Sequence, residues 1–236
     1  MRLLLISNST SHGSGYLDHC MREILDFLGG IDRIGFVPFA LFDRAGYAAR
    51  ASERFAVEGV RVEEVTADAR GRAQLEDLPA VFVGGGNTFR LLETLQRAGM
   101  VEVLRWRAES GMLYLGASAG INVAAPTIRT TNDMPIVEPK SFEALSLVGF
   151  QINPHYLDPN PSSTHMGETR EQRLLEFLEE NDVPVVGLRE GAWIRVEAGS
   201  LRLGGRHGAR IFRRGIEPEE RAPGDGLEDL EERDRA

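Results

Sequence analysis

Apolar residues in this chain come in two rhythms. Short, nearly continuous apolar runs at Arg2–Ser7, Arg33–Pro38, Val60–Val65, Ala80–Val83, Met112–Leu115, Phe150–Asn153 and Val185–Leu188 read as strands. Between them, apolar residues recur at helical spacing over Tyr16–Leu28, Tyr47–Glu58, Thr88–Ala98, Val101–Glu109 and about Thr169 to Asn181. Gly29, Gly59, Gly99 and Gly111 follow four of these stretches, where a left-handed residue closes a helix. Trp193–Val196, Ser200–Leu203 and Arg210–Phe212 read as short antiparallel strands. Strands alternating with helices predict an α/β fold, a mostly parallel sheet with helices on both faces. Ligands in such sheets bind outside the carboxyl ends of the strands. The loops after Ser7, Val83, Leu115 and Asn153 are therefore where chemistry is expected.

Composition narrows the picture without changing it. With 236 residues, 42% hydrophobic and 27% charged, the chain is expected to form one soluble domain with its own core. Cys20 is the only cysteine, so no internal disulfide can form. The longest apolar run near the start is Leu3–Ile6, too short for a secretory signal or a membrane span, and a cytoplasmic protein is expected. Of the net charge of −9, −6 falls in residues 215–236, which hold nine carboxylates and three arginines. Residues 1–214 are expected to be a single α/β domain, and 215–236 a solvated, flexible acidic tail. No basic stripe is visible, so nucleic acid is not an expected partner. A monomer or homodimer is anticipated.

The clearest chemical signal is Gly116-Ala117-Ser118-Ala119-Gly120. It fits G-x-S-x-G and lies between a predicted strand and a small-residue helix start, the context of a nucleophile elbow. A serine hydroxyl needs a base. His155, just past the strand Phe150–Asn153, falls at the same sheet edge. The base needs an acid to hold its tautomer, and two carboxylates qualify: Asp133, between serine and histidine, and Glu190, just after a strand. Gly84-Gly85-Gly86-Asn87 follows another strand and opens a helix. Its backbone N–H groups, Gly85 or Gly86, together with that of Ala119, suit an oxyanion. No His-and-carboxylate spacing suggests zinc, and neither metal nor cofactor is expected.

These stretches resemble the peptidase E family. The resemblance is carried by LLLISNSTSHG, VGGGNTFRLL (Val83–Leu92), GASAG with INVA, PTIRTTNDMPIV (Pro126–Val137), QINPH (Gln151–His155), HMGETREQR (His165–Arg173) and the stretch Glu190–Ile194. It implies a fold similar to class I glutamine amidotransferases, with serine in place of cysteine. It implies Ser118 as nucleophile, His155 as base and Asp133, rather than Glu190, as the acid. The oxyanion donors would be Gly86 and Ala119. The implied substrates are dipeptides with amino-terminal aspartate. Arg170 would clamp the aspartate carboxylate, with Arg129 the weaker alternative. Glu168 would take the α-ammonium, and Asn87 would also face substrate. Two other readings are another serine hydrolase on this scaffold (an esterase, an amidase or a peptidase of aspartate-rich polymers) and a non-catalytic binder of aspartyl peptides.

Overall fold

A computed structural model describes residues 1–160, 162, 164 and 166–231. The chain runs β1 (Arg2–Ile6), α1 (Met21–Leu28), β2 (Arg33–Val37), α2 (Arg44–Ala56), β3 (Arg61–Glu64), α3 (Ala69–Asp77), β4 (Ala80–Val83), α4 (Thr88–Arg97), α5 (Val101–Glu109), β5 (Leu113–Ala117) and α6 (Ala119–Asn122). It continues with β6 (Gln151–Tyr156), α7 (Arg170–Glu180), β7 (Val185–Arg189), β8 (Ala192–Glu197), β9 (Ser200–Gly205), β10 (Ala209–Arg213) and β11 (Ile216–Arg221).

The main sheet has seven strands in the order β3-β2-β4-β5-β1-β8-β9. Its first five are parallel, and β8 and β9 close it antiparallel. The expected α/β architecture is therefore present. The strands β6 and β7, however, leave this sheet for a second one of four strands, β11-β10-β7-β6. Strand β1 shows why the central runs are continuously apolar: Leu4 and Ile6 pack with Phe27, Phe36, Tyr47, Phe55 and Phe82 on one face. On the other, Leu3 and Leu5 pack with Val83, Leu91, Leu95, Leu104 and Ile121, and with Ile152, Val186 and Leu188 of the second sheet. Both faces are covered, so alternation disappears.

Three segments differ from their sequence reading. The helix expected over Tyr16–Leu28 begins only at Met21, because Leu17 adopts a left-handed φ of 62° and Gly15 N–H donates to Asp18 in a turn. Helix α3 was not expected, since only Gly71 and Leu75 of its nine residues are buried and the pattern is faint. The acidic segment after Arg214 is not a free extension over its described residues. Ile216–Arg221 pairs with β10, and Leu227 and Leu230 are 0% and 1% exposed in the core. Its carboxylates are held locally: Glu220 by Arg189, Glu228 by Leu201 N–H, and Glu231 by Gly149 N–H. Residues 232–236 lie outside the described residues.

Candidate active site

Ser118 stands at the turn from β5 to α6 with φ 51° and ψ −110°. A non-glycine residue with positive φ is strained, and here the strain turns the side chain off the sheet. Small neighbours make the turn possible. A Cβ at Gly116 would sit 2.7 Å from the Gly120 carbonyl oxygen, and one at Gly120 would sit 2.2 Å from the Val83 carbonyl oxygen. The Ser118 N–H is anchored to Ile6 O at 3.1 Å, and buried Tyr114 donates from its hydroxyl to Gly120 O at 2.6 Å.

His155, like Ser118, has a positive φ, 53°. The pairing of β6 with β7 shifts register between Pro154 and Tyr156, so His155 occupies a bulge, a device that re-aims one side chain. Its Nε2 lies 2.9 Å from Ser118 Oγ and its Nδ1 lies 2.7 Å from Glu190 Oε1. With Nδ1–H donated to the carboxylate, Nε2 is free to accept the serine proton. The backbone of the bulge is held by Ser7, whose hydroxyl accepts from His155 N–H at 3.0 Å and donates to Leu188 O at 2.9 Å. Next to it, Asn8 Oδ1 accepts from Gly191 N–H at 2.6 Å and fixes the turn that carries Glu190. Ser7 and Asn8 are 0% and 1% exposed. The sequence reading marked only the loop after Ser7. The available signal was a polar Ser-Asn pair at the carboxyl end of a wholly apolar strand.

Asp133, expected on His155, is engaged elsewhere. Its Oδ2 accepts from Thr88 N–H at 2.8 Å, Thr88 Oγ1 at 2.6 Å and Thr131 Oγ1 at 3.1 Å. It thus serves an otherwise unpaired donor in the first turn of α4 and ties loop 130–134 to that helix. Asn87 is also used within the protein. It caps α4 through Arg90 N–H at 3.0 Å and donates to Met134 O at 2.8 Å. Gly85 lies against the nucleophile, where a Cβ would meet Ser118 Cβ at 3.0 Å. Gly86 has φ +134°, a conformation suited to glycine. Neither the Gly86 nor the Ala119 N–H has an acceptor among the described residues, while Gly84 and Asn87 on either side donate to Val37 O and Ala40 O.

Arg170 opens α7 behind the capping box of Thr169 and Gln172. It is half-buried and makes no hydrogen bond or ion pair among the described residues. Burial, then the charge of Arg173, lowers its pKa, whereas the charges of Glu190 and Asp133 favour its charged form. Glu168 is exposed and pairs with Arg173 at 3.3 Å, not with Arg170. Arg129 stacks over Phe142. His165 lies outside the described residues. No group of three His, Cys, Asp or Glu among the described residues could hold a metal ion.

Acyl transfer at a serine hydroxyl is the chemistry this arrangement permits, and on an α/β sheet it makes the molecule a serine hydrolase. Comparison with known proteins narrows the class. The model of peptidase family S51 matches residues 3–204, and the chain belongs to that family. It is 57% identical to peptidase E of Streptomyces coelicolor over 98% of this chain and 95% of that protein. It is 43% identical to a probable alpha-aspartyl dipeptidase of Drosophila melanogaster over 94% and 93%, and 43% identical to peptidase E of Salmonella typhimurium over 92% and 96%. In fold it is similar to a crystallised peptidase from an acI-B1 actinobacterium, with TM-score 0.74 at 16% identity over 96% of each chain. A putative peptidase E from Listeria monocytogenes aligns with TM-score 0.60 at 23% identity, over 94% of this chain and 98% of that one.

Proposed function

We propose that the protein is a serine dipeptidase that hydrolyses Asp-X dipeptides through an acyl-enzyme, with Ser118 as nucleophile, His155 as base and Glu190 as the acid. The observation that carries this reading is the unbroken line Ser118 Oγ, His155 Nε2, His155 Nδ1, Glu190 Oε1, with steps of 2.9 and 2.7 Å. Ser118 attacks the carbonyl of the amino-terminal aspartate while His155 takes its proton. The oxyanion is received by the N–H groups of Gly86 and Ala119, which have no acceptor among the described residues. His155 then protonates the leaving amine, and water releases aspartate. The half-buried, unpartnered Arg170 suits the aspartate side chain with two parallel hydrogen bonds. Exposed Glu168 is the candidate partner of the α-ammonium, which it reaches by exchanging Arg173 for substrate.

The test is hydrolysis of Asp-Leu beside Asn-Leu, Glu-Leu and N-acetyl-Asp-Leu by the wild type and Ser118→Ala. Cleavage confined to Asp-Leu and lost in the variant is the expected result. An amide in place of the carboxylate leaves Arg170 without its anion, so Asn-Leu should fall behind by about 10²–10⁴-fold. A fluorophosphonate that labels Ser118 in a protein inert to all four peptides would favour another serine hydrolase. Absence of labelling would favour a binder.

A further inference from the structure

The Asp-X reading assigns groups to the amino-terminal half of the substrate only. The leaving residue of a dipeptide ends in a carboxylate close to the scissile nitrogen. Because His155 Nε2 protonates that nitrogen, the leaving residue departs on the imidazole side of the site, and Glu190 with the turn that follows it stands across the same ring, on Nδ1. That turn carries a cation. Arg206 N–H donates to Gly191 O at 2.9 Å. The Arg206 side chain lies along the same turn: a Cβ at Gly191 would meet Arg206 Cβ at 3.6 Å and Cδ at 3.9 Å. The topology explains the placement. Strand β9 ends at Gly205 opposite Ala192, so Arg206 emerges at the sheet edge where β7 delivers Glu190.

Arg206 is exposed and has no hydrogen bond or ion pair from its side chain among the described residues. Arg189, on the strand that leads into the turn, is by contrast held by Asp158 and Glu220. His19 feels both charges: burial and then Arg206 disfavour its protonation, while the Asn8 backbone and then Glu190 favour it.

We propose that Arg206 receives the terminal carboxylate of the leaving residue and so makes the enzyme favour peptides of two residues. The inference rests on the Asp-X reading above. It is tested by comparing Asp-Leu with Asp-Leu-amide, which lacks only that carboxylate's charge, in the wild type, Arg206→Ala and Arg206→Lys. The wild type should prefer the free acid about tenfold or more in kcat/KM, chiefly through KM, as a charged hydrogen bond allows. The preference should collapse to near one in Arg206→Ala and partly survive in Arg206→Lys. Fluorophosphonate labelling of Ser118 at the wild-type rate certifies an intact site in each variant. A preference that is absent in the wild type, or unaltered in Arg206→Ala, overturns the inference and leaves the Asp-X reading standing. A labelled wild type that cleaves neither peptide overturns the Asp-X reading, and the inference with it.

Discussion

From the residues alone Asp133 and Glu190 both qualify: each is a loop carboxylate, one between the serine and the histidine, the other just after a strand. What separates them is a bulge that aims His155 at Glu190 and a helix start at Thr88 that captures Asp133. Neither is a periodic feature, which is why the juxtaposition of Ser118 and His155 was legible in the sequence and the carboxylate that meets His155 was not. The difference predicts separate phenotypes. Glu190→Gln should lower kcat by about 10²–10⁴-fold with stability little changed, since half of its side chain is exposed. Asp133→Asn should instead cost about 1 kcal/mol of stability, as loss of a helix cap does, and keep the shape of the pH–rate profile. Kinetics and urea melts on the two variants check both. Arg170→Ala should destroy the choice of Asp-Leu over Asn-Leu while Ser118 still labels with fluorophosphonate. Parallel loss of labelling would make Arg170 a support of the fold.

Helices and strands were legible wherever one face was apolar and a glycine marked the end. Helix α4 starts and stops within a residue of its reading, with Gly99 after it at φ 65°. Helix α3 and strand β11 were missed because their residues are mostly polar. What recruits them lies beyond periodicity: Asp68 caps α3 through Gly71 N–H, and Arg213 and Arg210 of β10 draw β11 in through Glu219 and Glu220. At the elbow, element packing sets a strict limit on side-chain size. Gly120→Ala drives a Cβ into the Val83 carbonyl of β4. It should destabilise by at least about 1–3 kcal/mol, the range for overpacked cores. Gly85→Ala meets only Ser118 Cβ at 3.0 Å and Ala117 O at 3.2 Å. It should fold, and lose about 10²-fold in kcat as the oxyanion loop is pushed aside. Thermal melts and Asp-Leu kinetics on the pair separate the two effects.

Across the chain, the mostly parallel central sheet was readable from strands alternating with helices, but the fate of the last segment was not. Low hydrophobicity argued for a tail, yet two leucines suffice to fasten it. Removing residues 215–236 should lower stability by about 3–6 kcal/mol, an upper value from burying Leu227 and Leu230. Guanidinium melts of the shortened chain check this. Arg189, which holds Glu220 of that segment, also gives stability an acid-side pH dependence through Asp158. Hydrogen bonding to Arg189 holds the Asp158 carboxyl below its usual 3.8. A depressed carboxylate stabilises the fold above its unfolded pKa, and that contribution is lost as pH falls through the folded value. Asp158→Asn should therefore be less stable than wild type near neutrality, with the gap shrinking below pH 3.8.

The proposed nucleophile, Ser118, sits on the seven-stranded sheet, while the proposed base and acid, His155 and Glu190, sit on or just beyond the four-stranded one, and buried Ser7 bridges the two. Hydrolysis therefore requires the two sheets to be docked. A half-made or heat-loosened molecule keeps its serine but has nothing to activate it, so it turns over no Asp-X dipeptide. Turnover then doubles as a gauge of assembly. On slow warming, activity should vanish before the seven-stranded sheet melts, by as much as the seam between the sheets is weaker than either sheet alone.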